Sequence, residues 1–203
     1  MTASGADPAP PESAQDLAGY EVIVAIAGGI AAYKVCTVAS RLVQAGAGVT
    51  AVMTRSARKF IGQVTLQALT GRCVYTSLWD AEKEYDPQHI SLTEAADLFV
   101  VAPATGNILG KVANGIADDL VSTMIMAADS PVLFAPAMNC RMWCNPIVQE
   151  NVARLRRFGY AFVEPTEGWL ACRTTGPGRM AEPETILAAA RQMLRSKPPK
   201  KRR

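Results

Sequence analysis

Three side chains in this 203-residue sequence stand out by type and setting as candidates for chemistry. His89 is the sole histidine. That excludes a multi-histidine metal site and leaves it as the side chain whose ordinary pKa permits proton transfer near neutrality; an exposed or helix-capping histidine fits the same position. Asn139 lies in PAMNCRMW, Pro136 to Trp143, a lone carboxamide among Met138, Met142 and Trp143 just after an apolar run. Cys172 lies in GWLACRTTGPGRM, Gly168 to Met180, whose glycines and proline suit either a mobile loop over a site or a plain connection. Of the other thiols, Cys36 falls in a helical segment, Cys73 starts a strand and Cys140 adjoins the asparagine. The five cysteines lack paired metal spacing, which reads as reduced thiols in a cytoplasmic protein with no metal site.

Other stretches suit anions. AGGIAAYK, Ala27 to Lys34, follows an apolar run, and backbone N–H groups of Gly28, Gly29 and Ile30 at a helix start suit phosphate. It is not a full GxGxxG, and Lys34 is not at P-loop spacing, so a tight strand–helix turn explains it too. In MTRSARKF, Thr54 and Ser56 can donate to a phosphate or ribityl group, or cap a helix. In APATGNILGKVANGIADDL, small residues at Ala102, Ala104, Thr105 and Gly106 let a flat ligand approach the backbone, while Thr105 or Asn107 also suits a helix cap. Asp118 and Asp119 read as surface or helix-start charges rather than a metal pair.

These residues sit between elements of alternating kind. Apolar runs at Val22–Ala27 and Val49–Met53, then in CVY, DLFVVAPA, PVLFAPA and YAFVEP, read as strands. Helical spacing starts at Ile30 (Val35, Val38, Ala39, Leu42), and helices follow in FIGQVTLQALTG, in NILGKVANGIADDLVSTMIMAA with a break at Gly115, in NPIVQENVARLRRFG and in PETILAAARQML. Leu78–His89 and Thr166–Met180 read as loops. The result is one α/β domain, a Rossmann-like doubly wound parallel sheet of about six strands, in which ligands bind at the carboxyl ends of strands.

Hydrophobic residues make up 49% and charged residues 19% of the chain, a globular composition. No apolar run reaches the ~20 residues that span a bilayer, and the start is neither basic nor apolar enough for a signal peptide. Residues 1–19 read as a flexible leader, 20–194 as the folded domain and 195–203 as a basic tail. That tail, RSKPPKKRR, holds six of the 21 basic residues, so the remainder carries 15 basic against 18 acidic side chains. A solvated end fits it better than a nucleic-acid-binding arm, since nothing else resembles a nucleic-acid module.

Taken together, GGIAAYK, HISL, APAT, ANGIADDL, PAMNCRMW and ACRTTGPGRM resemble the flavin-dependent cysteine decarboxylases, in particular the phosphopantothenoylcysteine decarboxylases of coenzyme A biosynthesis. The pieces follow family order from Gly19 to about Leu194. PAMN with its following MW, and the spaced ACxxxGxGRM, are its specific signatures. The resemblance implies FMN, its phosphate over Gly28, Gly29 and Ile30 with Thr54, Arg55 and Ser56 nearby, and its flavin flanked by Ala104, Thr105, Gly106, Asn107 and Ala137. Relatives often carry serine at the position of Ala27, so here the backbone must suffice.

The resemblance also implies a homotrimer, or a multiple of trimers, with sites between subunits. Phosphopantothenoylcysteine would be oxidised to a thioaldehyde, lose CO2 and be reduced to phosphopantetheine. His89 is then the base or orienter and Cys172 the acid of the final reduction. Asn139 would hold the substrate carboxylate, with Met142, Trp169 and Ala171 along the substrate. Many bacterial relatives fuse this domain to a ligase; this sequence shows the decarboxylase part and is expected to be monofunctional. Rival expectations are a peptidyl-cysteine decarboxylase, against which Cys172 counts; a flavin prenyltransferase, which PAMN disfavours; a phosphatase regulatory subunit, which tends to have acidic extensions; and a generic nucleotide-binding protein.

Overall fold

The structure, a computed structural model, describes residues 15–78 and 88–201, apart from the side chains of Gln88 and His89. Strands β1 (Glu21–Ile26), β2 (Gly48–Met53), β3 (Leu98–Ala104), β4 (Val132–Pro136) and β5 (Ala161–Phe162) run parallel in the order β2-β1-β3-β4-β5. Helices are α1 (Ala32–Gln44), α2 (Gln63–Thr70), α3 (Gln88–Ala95), α4 (Gly106–Ala113), α5 (Leu120–Met126), α6 (Cys140–Trp143), α7 (Pro146–Arg157) and α8 (Pro183–Arg195). An antiparallel pair, β6 (Thr166–Trp169) and β7 (Thr175–Arg179), stands apart from the sheet.

Strand alternation divides the core. Val22, Val24, Ile26, Leu98 and Val100 face α1, α2 and α8, and Ile23, Ala25, Phe99, Val101 and Phe134 face α4, α5 and α7. On α1, Val35, Val38, Ala39 and Leu42 recur at helical spacing and are all buried. Phe99 and Phe134 are fully buried; truncating either to alanine should cost about 3–5 kcal/mol, a large part of a domain's net stability. Local chemistry sets the starts of the later helices. Asn145 accepts from Ile147 N (2.9 Å) ahead of Pro146, and Asp119 accepts from Ser122 N (2.9 Å) in a capping box.

The strand order reverses direction between β1 and β3, which opens a crevice at their carboxyl ends. Among the described residues the sheet has five strands rather than about six. CVY contributes only a bridge from Tyr75 to Val52, because Gly71 and Arg72 leave α2 in a bend and the chain meets the edge of β2 at that residue alone. Thr166–Met180 is not an irregular loop. Its glycines signal a loop by composition, yet they line a hairpin whose strands pair from Thr166↔Arg179 to Trp169↔Thr175.

Both ends of the domain also extend past the expected boundaries. Leu17, expected in the leader, is fully buried, and Asp16 pairs with Arg191 (3.3 Å) and Arg195 (2.7 Å) of α8. The expected solvated tail docks as far as Lys200, because Asp97 offers it an acceptor at the amino edge of the sheet. Lys200 N donates to Asp97 Oδ1 (2.8 Å), whose Oδ2 accepts from Glu21 N (2.7 Å), and Tyr20 Oη donates to Lys197 O (2.8 Å). No helix among the described residues is long and apolar enough to cross a membrane.

Candidate active site

A cavity of about 800 Å³, within the range of small-molecule sites, opens at the carboxyl ends of the strands. Four strand-to-helix turns and the hairpin line it. The turn after β1 brings Gly28, Gly29 and Ile30, and the turn after β2 brings Thr54, Arg55 and Ser56. A Cβ on Gly28 would lie 2.4 Å from Ser56 Cβ, so only glycine lets these two turns meet. Helix α1 starts at Ala31 with no side-chain cap and no acid in its first turn. Although Ala32 N and Lys34 N donate to Gly29 O and Ala31 O (3.0 Å each), Ala31, Tyr33 and Lys34 line the cavity, so the positive dipole end of the helix borders it without a capping anion. Thr54 Oγ1 accepts from Ala57 N (3.2 Å) and keeps its hydroxyl hydrogen to give; Ser56 makes no capping bond. This uncapped, side-chain-poor cradle fits a phosphate.

After β3 come Thr105, Gly106 and Asn107; Thr105 caps α4, accepting from Ile108 N (3.4 Å). A Cβ on Gly106 would touch Met142 Cε (3.5 Å) and Met138 Sδ (3.7 Å), so a flat slot walled by methionines adjoins the backbone here. Ala104 does not reach the cavity; it is fully buried at the end of β3, where its carbonyl accepts from Ala137 N (3.0 Å).

After β4, the cavity takes in Ala137, Asn139 and Met142. Asn139 is the N-cap of α6, its Oδ1 accepting from Arg141 N at 2.8 Å. That bond decides which way the carboxamide faces. The oxygen is engaged with the backbone, so the Nδ2 amide is the donor left for a ligand. An aspartate would cap equally well but would offer no N–H.

The hairpin brings Trp169, Ala171 and Cys172 over the same space. It is seated by absent side chains: a Cβ on Gly178 (φ +117°) would fall 2.4 Å from Met138 O, and one on Gly176 would fall 3.0 Å from Cys140 Cβ. Gly178 O accepts from Met138 N (2.9 Å). Cys172 sits at the exposed turn, its Sγ 3.0 Å from Thr174 Oγ1. The Thr174 hydroxyl chiefly, with a smaller contribution from the Asn139 amide, holds the thiol pKa below its ordinary value. The two signature segments, separate in sequence, thus converge on one spot.

Charged residues that spacing did not single out for the site also line the cavity. Lys34 Nζ donates to both carboxylate oxygens of Glu182 (2.9 Å each), and Arg179 reaches the same carboxylate at 2.6 Å. Lys111 bridges Asp118 and Asp119 at 2.6 Å each. Burial pushes the Asp119 carboxyl up, but the bonds from Lys111 and Ser122 outweigh it and hold its pKa below the usual range. Their only sequence signal is proximity to glycine turns. His89 falls in the first turn of α3, and its side chain lies outside the described residues. Among the described residues no cluster of three metal-ligating side chains occurs.

A family profile described as Flavoprotein matches residues 10–195. The coenzyme A biosynthesis bifunctional protein CoaBC of Bacillus subtilis (strain 168) is 49% identical over 172 residues, which are 83% of this chain and 42% of that protein. The chain therefore spans less than half the length of that curated relative. Among solved structures, a cysteine-to-serine mutant of a PPC decarboxylase complexed with pantothenoylaminoethenethiol superposes with a TM-score of 0.77 at 32% identity, covering 85% of this chain and 97% of that one. The FMN-dependent cysteine decarboxylase SpaF superposes with a TM-score of 0.73 at 34% identity, covering 86% and 99%.

Proposed function

This chain belongs to the flavoprotein family, and from that premise we propose that it is an FMN-dependent decarboxylase that converts phosphopantothenoylcysteine to phosphopantetheine in coenzyme A biosynthesis. The observation that carries this reading is the pairing of Asn139 and Cys172 across one cavity that also holds an uncapped helix start. One group orients a carboxylate, another supplies a proton, and the cradle between β1 and β2 takes a cofactor phosphate. A solved relative holding an aminoethenethiol compound supports the choice of chemistry.

Bound FMN would supply the oxidation that turns the cysteinyl end into a thioaldehyde and the later return of those electrons. The protein's part is positional. Gly28, Gly29, Ile30 and Ser56 would hold the phosphate, and Thr105, Gly106, Asn107 and Ala137 would flank the ring. Asn139 Nδ2–H would donate to the substrate carboxylate. A neutral donor orients that group without the ion pair that would stabilise it against leaving as CO2. Met138 and Met142 line the cavity beside it, and orientation of the carboxylate is the protein's contribution.

His89 would act as base or orienter in the oxidative half, and Cys172 would give the proton that precedes final reduction. Trp169 and Ala171 would lie along the rest of the substrate. Ile30, Tyr33, Met142 and Trp169 line the cavity and are exposed, and a homotrimer that completes each site with its neighbour would cover them. A cytoplasmic setting suits the five free thiols.

The test is direct. Protein loaded with FMN should show an oxidised-flavin spectrum and convert phosphopantothenoylcysteine to CO2 and phosphopantetheine in equal amounts, with no net consumption of reductant. Protein that takes up no FMN, or that binds it but leaves the substrate intact, would overturn the reading.

A further inference from the structure

Thr174 has no part in the chemistry above, yet its hydroxyl lies within hydrogen-bond distance of Cys172, 3.0 Å from Sγ. We infer that Thr174 is a positioning residue for the Cys172 proton: its hydroxyl accepts from the thiol S–H before transfer and donates to the thiolate afterwards, holding Sγ toward Asn139. The inference rests on the decarboxylase reading.

The hairpin turn fixes the pair. Leu170 N donates to Thr174 O (2.9 Å) and Arg173 N donates to Leu170 O (2.9 Å), so the backbone on both sides of Cys172 is tied. The cysteine itself is exposed and has no packing to hold its side chain. A hydroxyl is the one small group that can reverse from acceptor to donor by rotating.

Hydrogen bonds, chiefly from Thr174, hold the thiol pKa below its ordinary value against desolvation. Three cations that line the cavity are paired with carboxylates. Lys34 and Arg179 are held by Glu182, and Lys111 by Asp118 and Asp119. Arg55 is on the turn after β2, Arg173 is on the same hairpin turn as Cys172, and Arg141 is on α6.

The step balances without a further reactant. The S–H bond of Cys172 breaks and a C–H bond forms at the enethiolate carbon next to nitrogen, giving a thioaldehyde. Its thiocarbonyl carbon would then take the hydride that bound FMN, once reduced, would supply, giving the saturated thiolate, which takes its proton from solvent. The charge left on Sγ accepts from Thr174 O–H until solvent returns a proton.

The experiment compares full-length wild type with Thr174→Val, Thr174→Ala and Thr174→Ser. Peptide-resolved iodoacetamide alkylation of Cys172 is followed against pH without substrate, and the ratio of saturated to unreduced thiol product is measured with it. Valine and alanine should raise the alkylation midpoint by about one pH unit, the size of one hydrogen bond to a charged group. They should also raise the unreduced share about tenfold, a midpoint change of one unit carried into proton transfer. Serine should restore both. Because Thr174 is exposed, these changes leave the core untouched. An unshifted midpoint in both valine and alanine variants, or failure of serine to rescue, would overturn the inference. A wild type that releases no CO2 would instead overturn the decarboxylase reading, while the midpoint still judges Thr174.

Discussion

The cradle at the sheet edge and the hairpin above it are held by opposite means. In the cradle, backbone meets backbone: Gly28 is pressed on Ser56, and the turns leave strands that are almost wholly buried. Among the described residues the hairpin belongs to no larger sheet. It rests on glycines seated against Met138 and Cys140, and on the half-exposed Glu182 that ties Arg179 to Lys34. The first construction cannot yield without disturbing the core. The second can open at modest cost, as a cover over a substrate must. Asn139 belongs to the fixed part and Cys172 to the opening part. The two halves of the proposed reaction, loss of CO2 and reduction, should therefore be separable by mutation.

The largest effect is expected from Asn139→Asp. Its cap on Arg141 N survives, but a donor becomes a like charge facing the substrate carboxylate. CO2 release should fall at least about a thousandfold, the scale of an oriented donor replaced by repulsion, while the flavin spectrum is retained. Near-normal turnover would remove Asn139 from the site. Next comes Gly28→Ala, whose new Cβ would meet Ser56 Cβ at 2.4 Å. Overpacking of this kind costs about 1–3 kcal/mol, so FMN affinity should fall by about ten- to a hundredfold; unchanged affinity would show that the two turns are free to part.

Glu182→Gln should act on the hairpin alone. Half-exposed ion pairs contribute little to global stability, so the melting temperature should barely move. Hydrogen exchange of the amides at 166–179 should nonetheless quicken severalfold; equal exchange would mean that the glycine seat holds the hairpin by itself. Smallest is Arg173→Gly. Arg173 has φ +62°, a conformation that glycine adopts freely and that strains other residues by about 1–2 kcal/mol. The variant should slow hairpin exchange slightly and leave FMN binding as it is.

The same contrast explains what the sequence made legible. Buried parallel strands declare themselves as unbroken apolar runs, so β1 to β4 are readable within a residue or two, and the glycine turns that follow them locate the cavity. The hairpin was not legible. Gly168, Gly176 and Gly178 exist to let backbone lie on backbone, and in composition that need looks the same as a loop. The Lys34–Glu182–Arg179 and Lys111–Asp119 contacts were hidden because pairing across elements leaves no local spacing. Thr174 gave no signal beyond standing two residues from a cysteine. Leu17 and Lys200 were masked by polar, proline-containing neighbours that resemble solvated ends. The resemblance to cysteine decarboxylases supplied the cofactor and the roles; residue types by themselves gave a phosphate turn, a lone histidine and an unexplained asparagine.

The separability of the two half-reactions is tested most directly by Cys172→Ser, with CO2, flavin redox state and thiol product measured together after mixing with phosphopantothenoylcysteine. Serine preserves the hairpin but is a far weaker acid than a thiol, whose ordinary pKa is ~8.5. The variant should release one CO2 per bound flavin, leave the flavin reduced and hold an unreduced aminoenethiol, while wild type returns to oxidised flavin and yields the saturated thiol. If the serine variant instead turns over to saturated product at the wild-type rate, the hairpin thiol is not the acid, and the division of labour between cradle and hairpin is wrong.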